Sequence, residues 1–127
     1  MCPIKMSKVE STLRIVLEFS EAFNRHDVAG MMKLMHADCV LERASPPPAG
    51  SRYAGTDAVA GVWQVYFEAS PEASLAIEEI FSMGFRCVLR WKLHGDADRP
   101  TAEGLRGVDI FEVREGLIAE QLSYVKG

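Results

Sequence analysis

The sequence lacks most of the features that assign a chemistry at sight. Its three cysteines, Cys2, Cys39 and Cys87, are odd in number and far apart. That excludes a disulfide framework and a zinc pattern alike. Cys39 and Cys87 sit in apolar runs, where a free thiol packs like a small hydrophobe. No hydrophobic run approaches the roughly 20 residues of a membrane span. The opening Met1-Cys2-Pro3-Ile4-Lys5-Met6 is too short and too mixed for a signal peptide, so a cytoplasmic location is expected. Fourteen Lys and Arg stand against 18 Asp and Glu, a formal net charge of −4. The basic residues are dispersed rather than gathered in a patch or stripe, so neither nucleic acid nor an anionic membrane is an expected partner. His26, His36 and His94 share no metal-like spacing. There is no phosphate-binding glycine loop, no nucleophile elbow and no H-E-x-x-H, and so no metal or cofactor is implied.

What is present is an ordinary globular chain. Its 127 residues suit one domain, with residues 1–7 expected as a flexible N-terminus. That length buries a sizeable core without covalent staples. Ser7-Lys8-Val9-Glu10 reads as a capping box. Behind it Val9, Leu13, Val16, Leu17, Ser20 and Phe23 recur on one face of a helix of about four turns. Asn24-Arg25-His26-Asp27 breaks that helix. Asp27 then caps a second, shorter one carrying Val28, Met31, Met32, Leu34 and Met35. A short strand over residues 39–43 leads into Ser45-Pro46-Pro47-Pro48-Ala49-Gly50-Ser51, a loop because prolines supply no ladder donors. Thr56 is placed to cap a third helix, in which Val59, Val62, Trp63, Tyr66 and Phe67 share a face.

The remainder alternates with a period of two, the mark of half-buried strands. The expected strands are Leu75 to Met83, Phe85 to Leu93, Glu103 to Arg114 and Leu117 to Val125, separated by turns at Gly84, residues 95–100 and Glu115-Gly116. Helices first and antiparallel strands after them make an α+β fold.

Asp109 is the most informative position. Leu105, Gly107, Asp109, Phe111 and Val113 share a face, and a lone carboxylate interrupts that apolar stripe. Burying it charged requires partners, and burying it neutral raises its pKa. It is either a structural carboxylate paired with an arginine on a neighbouring strand or a pocket acid that moves a proton. Arg43 alternates with Cys39 and Leu41, and points inward with them or ends the strand in solvent. Alternation places Trp91 with the apolar set and Arg90 on the opposite face. Trp63, Tyr66 and Phe67 are core or ligand wall. Tyr53 closes over a pocket mouth or anchors the loop. Met31, Met32 and Met35 fill the core or form an adaptable wall.

The order of Phe23-Asn24-Arg25-His26-Asp27, His36-Ala37-Asp38-Cys39-Val40, Tyr53-Ala54-Gly55-Thr56-Asp57-Ala58-Val59 and the closing run from Arg106 to Ile118 resembles the SnoaL-like branch of the nuclear transport factor 2-like superfamily. The resemblance spans about Val9 to Lys126. It implies a cone: a strongly curved antiparallel sheet wrapped round a pocket and closed by three helices. It also implies a catalytic role for Asp109 and a pocket lined by Phe19, Phe23, Met35, Leu41, Arg43, Tyr53, Trp63, Tyr66, Arg90, Trp91, Phe111, Gln121 and Ser123. Members include ketosteroid isomerases, polyketide cyclases, epoxide hydrolases and non-catalytic binders, so the fold does not fix a function.

Carried over residue by residue, the isomerase's oxyanion-hole aspartate falls on Asp109. Its oxyanion tyrosine falls on Phe19, which has no hydroxyl, and its general base on Arg43, which cannot be one. The epoxide hydrolase arginine falls near Arg90, turned inward against the alternation reading, and its two aspartates near Lys92 and Ser123. The cyclases need mainly one acid/base residue in an apolar pocket, which Asp109 could be.

Three functions stay open: a cyclase-like or isomerase-like enzyme acting on an apolar carbonyl compound through Asp109, a non-catalytic binder of a small apolar or amphipathic ligand, and an interaction module. Val108 and Ile110 must face away from the pocket, and with the resemblance this leads to an expected homodimer through the sheet.

Overall fold

The computed structural model describes residues 8–126, with side chains described from Ser11 onward. The expected capping box at Ser7–Glu10 and the expected flexible N-terminus lie outside that description. The elements are α1 (Lys8–Asn24), α2 (Val28–Lys33), β1 (Met35–Arg43), β2 (Ser51–Ala54), α3 (Thr56–Ala69), β3 (Ser74–Met83), β4 (Arg86–His94), β5 (Leu105–Arg114) and β6 (Leu117–Val125). Among the described residues, six strands form one curved, unclosed sheet in the order β2-β1-β6-β5-β4-β3, against which α1, α2 and α3 pack. Neighbouring strands run antiparallel except β1 and β6, which are parallel.

The β-meander from β3 to β6 follows the alternation of its sequence. On β4, Cys87, Leu89, Trp91 and Leu93 are buried, while Arg86 and Arg90 are exposed. On β5, Gly107, Asp109, Phe111 and Val113 are buried. The two thiols behave as core residues. Cys39 and Cys87 are free and buried. Burial raises the pKa of both, that of Cys87 to about 11, which removes the thiolate and its reactivity.

The first half departs from expectation in three places. Leu34 and Met35 do not belong to α2. Leu34 closes it as C-cap, its N–H bonding to the carbonyls of Met31 and Met32. The Leu34 carbonyl then accepts from the Ile118 N–H (2.8 Å), and Met35 pairs with Ile118. Long-range pairing thus turns a helical pattern into a strand. Residues 51–54 form a strand, β2, because β1 presents an edge to them. The N-cap of α3 is Gly55 rather than Thr56. Gly55 has φ +88°, a region that glycine enters without steric cost, and Thr56 is the first helical residue. Asp27 caps α2 as expected, its carboxylate accepting from the Gly30 N–H at 2.9 Å.

Asn24, at the end of α1, clamps that helix to the outer edge of the sheet. Its Oδ1 accepts from the Leu75 N–H (2.7 Å) and its Nδ2 donates to the Leu75 carbonyl (2.9 Å), both on edge strand β3. Asn24→Ala is expected to lower stability by about 1–2 kcal/mol, the net worth of two such bonds. A thermal melt unchanged within error would show that water replaces them without loss.

Candidate functional site

The concave face of the sheet and the helices enclose a cavity of about 180 Å³. Its inner end is walled by Phe19 on α1, Leu41 on β1, Leu89 and Trp91 on β4, Asp109 and Phe111 on β5, and Gln121 on β6. Its mouth lies between Arg43 and Ser45 at the end of β1 and Asp96, Asp98 and Arg99 in the loop after β4.

Asp109 is buried at 7% exposure. The register places it beside Leu89 on β4 and Ser123 on β6, and diagonally from Trp91 and Gln121. The indole Nε1–H of Trp91 donates to Oδ1 (3.0 Å), and the amide Nε2–H of Gln121 donates to Oδ2 (2.9 Å). Burial pushes the Asp109 pKa up, opposed by the hydrogen bonds from Gln121, Trp91 and Ser123 and by the field of Arg43. No cation forms an ion pair with it among the described residues. Of the two states open to this acid, the structure therefore contains the unpaired one.

The Trp91 bond depends on Gly107. The two residues are register partners, and a Cβ at Gly107 would overlap both the Trp91 ring and the Tyr124 carbonyl oxygen. The missing side chain lets the indole lie flat on β5 and reach Asp109 two residues further on.

The mouth is built differently. The Arg43 guanidinium lies over the rings of Trp63 (5.6 Å to the centroid) and Tyr66 (5.3 Å), in cation–π geometry. The Tyr66 hydroxyl donates to Asp96 Oδ2 (2.9 Å), while Oδ1 of Asp96 accepts from the N–H groups of Asp98 and Arg99. Burial, then the Asp96 carboxylate, raise the Tyr66 pKa. Tyr66 is therefore a neutral donor that fastens the loop to α3.

Of the residues expected at the pocket, Phe19, Phe23, Leu41, Arg43, Trp63, Tyr66, Trp91, Asp109, Phe111, Gln121 and Ser123 line this one cavity. Three do not. Arg90 is on the outer face, paired with Glu79 at 3.4 Å, because its neighbour Trp91 takes the inner one. The alternation was right here, and the inward Arg90 of the epoxide hydrolase comparison is corrected. That set is not assembled. Met35 is buried in the core at the start of β1, clear of the cavity, and Tyr53 sits opposite Leu41 on β2 rather than over the mouth. Sequence reasoning missed Leu89 and Leu93, although they share the face of Trp91. It also missed Asp96, Asp98 and Arg99, whose loop carries no pattern. Among the described residues, no three His, Cys, Asp or Glu side chains gather as a metal ion would require. No described helix is long and apolar enough to cross a membrane.

The model of the SnoaL-like domain family matches residues 16–121. No curated protein matches the chain. Among solved structures, a nuclear transport factor 2-like protein of unknown function from Mesorhizobium loti is 33% identical, with 98% of each chain covered and a TM-score of 0.82. A candidate ketosteroid isomerase from Kribbella flavida superposes with a TM-score of 0.81 at 19% identity, over 97% of this chain and 83% of that one. A candidate polyketide cyclase from Sinorhizobium meliloti does so with a TM-score of 0.75 at 20% identity, over 87% and 94%. At those last two identities the likeness concerns the fold.

Proposed function

Because the chain belongs to the SnoaL-like domain family, we propose that its cavity is a catalytic pocket in which Asp109 moves a proton on a small, largely apolar carbonyl compound. The reaction would be cyclase-like or isomerase-like. The observation that supports this most is the state of Asp109: a buried carboxyl held by neutral donors, with no ion pair among the described residues, at the inner end of an open apolar cavity. An ion-paired carboxylate would be held far below neutrality. This one is raised instead, toward the range in which a carboxyl both takes and returns protons. In its ionised form it would take a proton from carbon next to the carbonyl. It would return that proton to another carbon in an isomerisation, or, in an aldol-type cyclisation, to the oxygen of a second substrate carbonyl as the carbanion attacks that carbonyl's carbon and its π bond breaks.

The test is deuterium uptake at the carbon next to the carbonyl of a cyclic aryl ketone such as α-tetralone, followed by NMR in D2O. The wild type is expected to catalyse exchange and Asp109→Asn to lose it. Equal rates for the two would remove Asp109 from the chemistry. Phe19 and Arg43 stand where an isomerase would carry its tyrosine and its base, which favours binding without turnover as the second reading. In that case the ketone binds and no exchange occurs. A cavity left open rather than filled by Trp63 and Phe111 counts against a pure interaction module.

We also propose a homodimer through the outer face of the sheet. The register aligns Phe81, Val88, Ile110 and Leu122 in one apolar row across β3, β4, β5 and β6. Phe81 is 49% exposed. Arg86 with Glu112 and Glu120 flanks the row on one side, and Arg90 with Glu79 on the other. Light scattering at micromolar concentration is expected to give the mass of a dimer, and Ile110→Glu that of a monomer. A wild-type monomer would refute the arrangement.

A further inference from the structure

Arg43 is a half-buried cation in the wall of the cavity. The other arginines of the sheet, Arg52, Arg86, Arg90, Arg106 and Arg114, each pair with a glutamate, whereas Arg43 forms no ion pair among the described residues. Its guanidinium lies instead over the rings of Trp63 and Tyr66. Stacking engages the face of the guanidinium and leaves the N–H donors in its plane unused. Those donors are within reach of a ligand. Among the described residues, the sealed side-chain polar atoms without a partner belong to Trp63 and Gln121, and no nitrogen of Arg43 is closed off in that way.

The mouth does not neutralise Arg43. Asp96 is committed elsewhere: its Oδ2 accepts from the Tyr66 hydroxyl and its Oδ1 from the N–H groups of Asp98 and Arg99. Asp98 and Arg99 are exposed on the same loop, and their opposite charges offset one another. The sheet then fixes where Arg43 stands relative to Asp109. In the parallel ladder Leu41 pairs with Gln121 and Glu42 with Leu122, so the next step brings Arg43 level with Ser123, which pairs with Asp109. Arg43 and Asp109 are thus two strands apart on the concave face, roughly 10 Å between backbones at the usual strand spacing. The cavity between them holds about 180 Å³. A void of roughly 150 Å³ accommodates a benzene ring.

We infer that the ligand is a keto acid built on one ring, its ketone at Asp109 and its carboxylate gripped by the N–H groups of Arg43. This deepens the catalytic-pocket reading and rests on it. A planar guanidinium meets a carboxylate through two parallel hydrogen bonds. One unmatched cation balances one negative charge, which selects a carboxylate over a doubly charged phosphate.

The test compares 4-acetylbenzoate with 4-acetylbenzamide by calorimetry at neutral pH. The two have nearly the same shape and differ in charge. The wild type is expected to bind the acid at least about tenfold more tightly, the scale that separates a charge-assisted hydrogen bond from a neutral one. Arg43→Met keeps an apolar stem over the two rings and removes the charge. It is expected to abolish the preference by weakening the acid, with the amide held within about twofold. If Arg43→Met does not fold, Arg43→Gln takes its place. Equal affinity of the wild type for the two probes, or no binding of either at millimolar concentration, overturns the inference. So does a preference that survives the loss of Arg43, which would assign the anion to Arg99. Asp109→Asn separates this from the catalytic reading, because it removes no donor from the mouth. Loss of deuterium exchange with the preference for the acid intact supports both. Exchange that survives Asp109→Asn refutes only the catalytic role, and exchange that depends on Asp109 without any preference for the acid refutes only the role of Arg43.

Discussion

Replacing Asp109 by asparagine is expected to cut ketone deuterium exchange by about 10²- to 10⁴-fold, the usual contribution of a positioned acid/base, while the fold stands. The fold survives because Asp109 forms no ion pair among the described residues for the substitution to break. The Asn carbonyl oxygen keeps the Trp91 donor. Its amide N–H then faces Gln121, whose side chain turns over to offer the Oε1 that has no partner among the described residues. A change of no more than about 1 kcal/mol is expected from this exchange of comparable hydrogen bonds. Asp109→Leu is the contrasting case. It strands the Trp91 and Gln121 donors in the core, at about 1–3 kcal/mol each.

The pH dependence has a definite sign. The folded-state pKa of Asp109 is raised above its ordinary 3.8. The folded state therefore holds the proton more tightly than the unfolded chain. Its contribution is fully present below that value and is lost as pH rises through the folded-state pKa. Wild type should thus lose stability relative to Asp109→Asn across that window, and the two melting curves should draw apart toward alkaline pH. A difference that narrows with rising pH would mean the carboxyl is stabilised as an anion.

Gly107→Val is expected to be the most damaging single substitution in the sheet. Its side chain would occupy the space of the Trp91 indole and press on the Tyr124 carbonyl of β6. Overpacking costs about 1–3 kcal/mol. Displacing the indole adds the loss of its bond to Asp109. Together these approach half the stability of a typical domain, about 5–15 kcal/mol in all. Gly107→Ala should be milder in degree and alike in kind. The pairing with Trp91 makes the prediction specific: in a double-mutant cycle, Trp91→Phe should relieve part of the Gly107→Ala penalty, because contacting residues couple. Additive effects would place the strain elsewhere.

The meander was legible because each of its strands carries its own evidence. Leu117 to Val125 was read to the residue. The stripe through Asp109 and Phe111 faces inward as its alternation requires, and Trp91 took the inner face for the same reason. What could not be read depends on partners distant in sequence. Nothing near Met35 announces Ile118, and a helical spacing of methionines outweighed a strand that exists only through pairing. Nothing near Asn24 announces Leu75. The site followed the same division. That Asp109 is buried was legible, but that Trp91 and Gln121 hold it required the register of three strands. The choice between a paired and an unpaired acid was therefore closed to the sequence.

The parallel pairing of β1 with β6 bears on how the protein is made. The meander β3 to β6 joins strands that are neighbours in sequence, contacts that a chain forms at little entropic cost. The wall carrying Leu41 and Arg43 cannot be seated until β6 exists, and β6 is the last of these six strands to leave the ribosome. Until β6 emerges, β1 and β2 therefore wait without their template, with Cys39 and Leu41 uncovered and a strand edge open to any other extended segment. The pocket comes into being only once β6 has been made. A chain stopped before Leu117 would have lost the seat for its first strand as well as its last.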